Sequence, residues 1–472
     1  MRTYLLPLLI ILALILTACG GATPAEPAAP AAEEAPAEEA AVEEAPAEEE
    51  AAEEAAVEEA PAEEAAEETA MTHDCAVDLT GQEVVIHQQA GTEGPISSIL
   101  GLAFQFATAQ AVADINAAGG ICGADLRVEF RETAYDVDQE VIAYEETRAS
   151  EPAPFVINTY NSGATVALAE RFNEDKIVAV AAGVNTQAIY VPRNGYTIGV
   201  VPVYADQFAG MCEWLSQNWG DIKPADAGDD IVIGVIGWQG AYGSGASTPE
   251  AIAYCESVGA QVLELEQQEV SPDYDSTGNL QALVSQGANV IYQQNLSFSS
   301  AEVVATASAL GIRDQVVMTG VNWSGNTDVL NFLGEDVNLM EGVYVHTPYI
   351  PWDDVDNPGV QQIAAAFDAS GAPSNERTFT FMLTYAGFYN QKAVIEHAIN
   401  TTGWPVSGED FLAAWQDLGS VDELGVVEWP AAGEQRSPGR SRISRFQVLE
   451  GKIGLVPVSD WFELPKAWPP TE

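Results

Sequence analysis

Residues able to carry out chemistry are sparse and scattered in this 472-residue chain. The four histidines, His73, His87, His346 and His397, lie far apart, and none has the H-E-x-x-H spacing of a zinc site. The chain has no G-x-S-x-G nucleophile elbow and no G-x-x-x-x-G-K-[ST] phosphate loop. Gly243-Ser244-Gly245 is too short for a dinucleotide fingerprint. The sequence therefore predicts neither an enzyme nor a resident metal or cofactor. Binding has a better case. Small, polar and aromatic residues cluster in 94–98 (with Gly94 and Ser97), in Tyr160-Asn161-Ser162-Gly163 and in Gly183-Val184-Asn185-Thr186. They recur in 238–242 (with Trp238 and Tyr242), in Gln294-Asn295 and in Asn322-Trp323. None of these stretches contains Arg or Lys, so an anionic group bound there would depend on helix N-termini and hydroxyls.

A different chemistry is expected at the N-terminus. Residues 5–16 are an almost pure aliphatic run behind Met1-Arg2. The run is shorter than the ~20 residues that span a bilayer and has the length of a signal-peptide core. Leu16-Thr17-Ala18-Cys19 follows, and small residues before a Cys resemble the bacterial lipobox. Cys19 is expected to be lipidated and to become the first mature residue, with enough acyl chains for stable anchoring. Residues 20–70 hold 18 Glu and no Lys or Arg, and Ala-Val-Glu-Glu-Ala-Pro-Ala-Glu-Glu starts at both Ala41 and Ala56. Such a segment buries too little apolar surface to offset its ordering entropy, so it reads as a disordered stalk.

The whole chain carries 17 basic and 71 acidic residues. Without the 18 stalk Glu and Arg2, 16 face 53, a net charge of −37. That balance argues against nucleic acid and against anionic membrane surfaces as partners. Apart from Cys19, the cysteines are Cys75, Cys122, Cys212 and Cys255. An even set in an exported chain suggests two disulfides, with three possible connectivities.

The elements that would position the binding loops follow a strand–helix alternation. Strands are expected at 83–86, 125–130, 155–158 and 177–181, with helices at 96–117 and 166–173 between them. After a break at 199–204, a second series runs from a helix at 206–219 through strands at 231–236, 261–265, 290–292 and 315–319. Helices at 249–258, 280–286 and 301–310 separate them. A long helix at 379–399 and a hairpin around Glu450-Gly451 close the chain. Repeated strand–helix–strand units imply right-handed crossovers on parallel sheets. About 400 residues exceed a usual single domain, so two α/β lobes are expected. Ligands of such sheets sit beyond the carboxyl ends of the strands, where the loops above fall.

Ordered landmarks sharpen this expectation. They are Gly94-Pro95, Asn116-Ala117-Ala118-Gly119-Gly120-Ile121 and Tyr204-Ala205-Asp206-Gln207, then Gln239-Gly240-Ala241-Tyr242-Gly243-Ser244-Gly245, Glu341-Gly342-Val343-Tyr344 and Glu450-Gly451-Lys452. Over roughly 82–461 the chain resembles the type I periplasmic binding proteins, in particular the branched-chain amino acid (leucine-isoleucine-valine) binding family of ABC transporters. The resemblance implies two Rossmann-like lobes with parallel sheets, joined by a three-segment hinge. The domains would be a signal peptide at 1–18, the lipidated Cys and stalk at 19–75, lobe one at 76–203 and 344–436, and lobe two at 204–343 and 437–472. Disulfides Cys75–Cys122 and Cys212–Cys255 would then each lie within one lobe.

The resemblance further implies a monomeric solute-binding lipoprotein on the outer face of the cell membrane. It would capture a branched-chain amino acid or related compound between closing lobes and deliver it to an ABC permease. The alternative is a ligand-sensing lipoprotein that signals to a membrane partner without transport. Tyr242 would cover the ligand, and Asp206 would accept its ammonium group or, alternatively, cap the following helix. Trp238 and Trp323 would offer stacking faces, with Trp323 equally suited to the core. Asn161 and Ser162 would also serve as turn and cap residues. Two departures stand out: Asn322-Trp323 where the family commonly has an acid, and Tyr385-Ala386-Gly387 where it has Tyr-Asp-Ala.

Overall fold

The computed structural model describes residues 75–469. The expected signal peptide, the lipidated Cys19 and nearly all of the stalk fall outside the described residues.

The first sheet is wholly parallel. Its strands are β1 (Glu83–Ala90), β2 (Asp125–Glu132), β3 (Val156–Thr159), β4 (Val178–Ala181) and β5 (Thr197–Gly199), in the order β2-β1-β3-β4-β5. Its crossovers carry α1 (Ser97–Ala117), α2 (Val137–Thr147), α3 (Ser162–Asp175) and α4 (Thr186–Tyr190). β3 and β4 are buried along their whole length, as a sheet covered on both faces requires. With Pro95 and Ile96 before it, α1 is long and apolar enough to cross a membrane, yet here it packs against α12 (Phe379–Thr402) and α11 (Pro358–Ser370).

The second half begins with α5 (Tyr204–Ile222). Its sheet is built from β6 (Ile231–Trp238), β7 (Ala260–Val262), β8 (Glu266–Gln268), β9 (Val290–Gln294), β10 (Val317–Gly320) and β11 (Tyr344–His346). Around it lie α6 (Ala241–Ser244), α7 (Pro249–Ser257), α8 (Thr277–Ser285), α9 (Ser297–Ala309) and α10 (Val329–Leu333). The chain then returns to the first half for α11, α12 and α13 (Gly408–Leu418), with a two-strand ribbon of β12 (Ser420–Val421) and β13 (Trp429–Pro430). Near the end β14 (Arg440–Ser441) pairs with β17 (Phe462–Glu463). Between them the hairpin β15 (Ile443–Leu449) and β16 (Lys452–Pro457) joins the second sheet antiparallel beside β11. β11 pairs in parallel with β10, so the crossing expected at 344 lies past His346.

Three segments thus connect the halves, after β5, after β11 and before β14. Two of them touch: the Gly199 amide donates to the Arg436 carbonyl at 2.7 Å. Cys75 is bonded to Cys122, and Cys212 to Cys255. The second bridge staples α5 to α7 within one half.

Candidate functional site

The carboxyl ends of both sheets converge on a small cavity. The first half contributes Ile96, Ile99 and Leu100 from the start of α1, Tyr135 after β2, Tyr160 and Ser162 after β3, and Ala182 after β4. The second half contributes Tyr204 at the start of α5, Tyr242 in α6, Leu296 after β9 and Trp323 after β10. No Asp, Glu, Lys, Arg or His stands among these lining residues. The walls are aromatic and mutually braced. Tyr204 and Tyr242 meet edge to face at 5.0 Å, Tyr242 meets Trp238 at 5.4 Å, and Tyr160 meets Phe104 at 4.8 Å.

Polar groups are few. The Ser162 hydroxyl lies 3.0 Å from the Tyr204 hydroxyl, which also accepts from the Val184 amide at 3.1 Å. Ser162 opens α3, so the helix dipole favours an electronegative atom beside it. Tyr242 donates to the Asn295 carbonyl at 2.8 Å. The Trp323 indole N–H is buried without a partner. Burial pushes the Tyr204 and Tyr242 hydroxyls up, so both stay protonated.

Of the residues picked from sequence, Tyr160, Ser162, Tyr242 and Trp323 line this cavity. The others serve it indirectly or not at all. Asn161 caps α3, accepting from the Gly163 and Ala164 amides, and its amide group donates to the Tyr135 carbonyl. Gly183 is required by close approach: a Cβ there would lie 2.6 Å from the Ser162 nitrogen. Asn185 caps α4 and reaches across the halves, donating to the Ala241 carbonyl at 2.6 Å. Trp238 is buried behind Tyr242 and donates to the Ser299 hydroxyl at 2.9 Å. Asn322 exchanges two hydrogen bonds with Gln207.

Two expectations need correction. Asp206 neither lines the cavity nor caps its helix. Both its oxygens are engaged by the C-terminal segment, accepting from the Ala467 amide at 2.8 Å and from the Trp468 indole at 2.9 Å. Burial pushes its carboxyl up to about 7 against these two bonds. The anion site expected at Gly94 and Ser97 lies off the cavity, beside a turn that carries its own acid. Glu132 accepts from the Thr92 amide and hydroxyl, and from the Glu93, Thr133 and Ala134 amides at 3.2, 3.0 and 2.7 Å. Burial raises its carboxyl, but hydrogen bonds from Thr92, Ala134 and Glu93 outweigh this and hold it below the usual range. Gly94 and Ser97 themselves are exposed.

Several lining residues escaped the sequence reading. Tyr135 takes a positive φ of 60° in the turn after β2, a placement no periodicity reveals. Tyr204 stands inside the Tyr204-Ala205-Asp206-Gln207 landmark, where Asp206 is the more obvious polar candidate. Asp328 was missed as a contact between the halves. It accepts from the Phe379 amide at 2.8 Å, at the N-terminus of α12, and burial pushes its carboxyl up to about 7.

A family described as periplasmic binding protein matches residues 90–440. No curated relative matches the chain by sequence. Among solved structures, a branched-chain amino acid ABC transporter protein from Thermus thermophilus with bound valine superimposes with a TM-score of 0.70 at 16% identity, covering 82% of this chain and 97% of that one. A fatty acid ABC transporter substrate-binding protein from Thermomonospora curvata gives 0.69 at 19%, covering 82% and 94%. A solute-binding protein from R. palustris in complex with 4-hydroxybenzoate gives 0.65 at 16%, covering 82% and 99%. At these identities the likeness is one of fold.

Proposed function

The chain belongs to the periplasmic binding protein family, and on that premise we propose that it captures a small monoacid with an apolar body for an ABC importer. The observation that carries the reading is a cavity lined by aromatic and aliphatic side chains with no charged one. A free amino acid would bury its ammonium there without a counter-charge, at a cost of several kcal/mol. A carboxylate fares better, because the Ser162 hydroxyl can donate to it at the positive end of the α3 dipole. The apolar body then lies among Tyr204, Tyr242 and Trp323. Valine, a fatty acid and 4-hydroxybenzoate, the ligand chemistries named for the three structures above, share a carboxyl on an apolar frame. A ligand touching both halves favours the arrangement in which Asn185 meets Ala241 and Asp328 meets Phe379.

The test compares valine with 3-methylbutanoate, which differ only by the ammonium group. Calorimetric titration should show the deaminated acid binding at least tenfold tighter. Tighter binding of valine overturns the reading. The same proposal places the protein outside the cell membrane, held by lipid on Cys19 and facing a permease. Cys19→Ala should then move it from the membrane to the soluble fraction, and unchanged membrane retention would discard the anchor.

A further inference from the structure

Behind the cleft, inside the first half, lies a second chamber between β3, β4 and α12. Tyr160 and Ala182 line both spaces and form the wall between them. The chamber is narrow and somewhat smaller than the cleft cavity. Its lining is unusual in one respect. Asn158 Oδ1, Gln391 Oε1 and Trp429 Nε1 are each buried without a hydrogen-bond partner, on side chains only 3%, 2% and 1% exposed. A buried polar atom without a partner loses the hydrogen bond that water would give it, so three around one space call for an occupant. Gly387, in the middle of α12, adds to the room: a Cβ there would meet the Trp429 ring at 3.6 Å. On the wall between the two spaces the Tyr160 ring packs edge to face on Phe104 at 4.8 Å.

We propose that this chamber is a second compartment of the ligand site and receives an uncharged hydrogen-bonding end group, best a primary carboxamide, of a ligand whose body lies in the cleft. The proposal rests on the reading of the cleft as the ligand site. The match is one of donors and acceptors. A carboxamide offers two N–H donors for Asn158 Oδ1 and Gln391 Oε1, and a carbonyl for the Trp429 indole. A carboxylate would face two acceptors. An ammonium would face the indole N–H and find no counter-charge among the lining residues. Entry requires the Tyr160 side chain to turn aside, which joins the two spaces.

The probes are two series of acids, titrated by calorimetry into the full mature chain. One series is the monoamides of the four- to seven-carbon straight-chain diacids. The other is the straight-chain fatty acids with the same number of heavy atoms. At one chain length the carbamoyl acid should bind at least tenfold tighter than its methyl-ended counterpart. Gln391→Leu should bring that ratio below three, whatever it does to the two affinities. Trp429→Phe, which keeps a ring but loses the N–H, should lower the ratio as well, and thermal melts establish that both variants fold. Methyl-ended acids binding as tightly as carbamoyl acids at every length overturns the proposal and leaves water as the occupant. So does a carbamoyl preference that both variants retain. Binding by neither series fails the reading of the cleft itself, and this inference with it.

Discussion

Tyr204 and Asp206 stand two residues apart in the first turn of α5, yet they serve different regions. At 100° per residue they point to nearly opposite sides of the helix. Tyr204 faces the cleft, where its ring meets Tyr242 and its hydroxyl meets Ser162. Asp206 faces the seam where the chain ends. There Trp468 stacks on Tyr190 at 3.8 Å, under the guanidinium of Arg193 at 5.5 Å and the ammonium of Lys466 at 4.9 Å. The cleft is apolar and free of charge, while the seam concentrates charge around a tryptophan. An acid near a binding loop is thus no guide to ligand chemistry until the helix phase says which way it points.

The largest effect expected from breaking this contrast is on stability. Asp206→Ala strands two buried donors, the Ala467 amide and the Trp468 indole, at about 3 kcal/mol together. Thermal melts should drop by several degrees while affinity for 3-methylbutanoate changes less than threefold. A variant that melts normally but loses binding would return Asp206 to the ligand site. The second effect is the mirror image. Ser162→Ala removes the hydroxyl at the polar end of the cleft and should weaken binding of the same acid about tenfold, ~1.4 kcal/mol. Its melting temperature should stay close to the wild-type value, and a large fall there would assign Ser162 to the scaffold instead.

The smallest effect concerns pH. Burial raises Asp206 and Asp328 to about 7 and Glu140 to about 8, whereas unfolded carboxyls ionise near ~4. The folded state therefore keeps protons that the unfolded state has released, and stability falls as pH rises from ~4 towards 8. Burial holds His346 down to about 3 and also lowers His87, so these two oppose the trend below ~6.5, where unfolded histidine takes up protons. Above pH ~6.5 the histidine contribution fades and the carboxyls dominate the slope. Calorimetric scans from pH 6.5 to 8.5 should show wild-type stability declining. Asp328→Asn should remove ~1 kcal/mol of that decline. Parallel slopes in the two proteins would mean that Asp328 ionises normally where it meets α12.

Much of the fold was legible because its signals are local. The strands expected at 125–130, 177–181 and 290–292 fall within a residue or two of β2, β4 and β9. The aliphatic runs of β4 and β9 are the direct mark of strands buried on both faces, whereas β2, at the sheet edge, shows instead the apolar–polar alternation of a half-exposed strand. α2 was missed: its charged residues blur the apolar period, though Asp136 caps it from outside. β11 was missed because three residues carry too little pattern to register. The site was half legible. Tyr160, Ser162, Tyr242 and Trp323 could be named because they follow strands in a predictable order. Glu132 could not be read as the internal partner of the first loop, since its five donors come from two turns about 40 residues apart. Aliphatic lining residues such as Leu296 look like core until the second half is seen to face them.

The Cys75–Cys122 bridge determines how mechanical tension enters the fold. A pull on the chain ahead of Cys75 is passed by the covalent bond to the turn between α1 and β2, and from there into β2. Hydrogen bonds from the Leu79 amide to the Cys122 carbonyl and from the Ala76 amide to Asn400 share the strain locally. β1, which lies between β2 and β3 in the first sheet and leads into the start of α1, is bypassed. In a force-clamp experiment the intact molecule should hold its ligand up to the force that unfolds the whole first half. After reduction, β1 becomes the first strand pulled, and release of ligand should come at lower force.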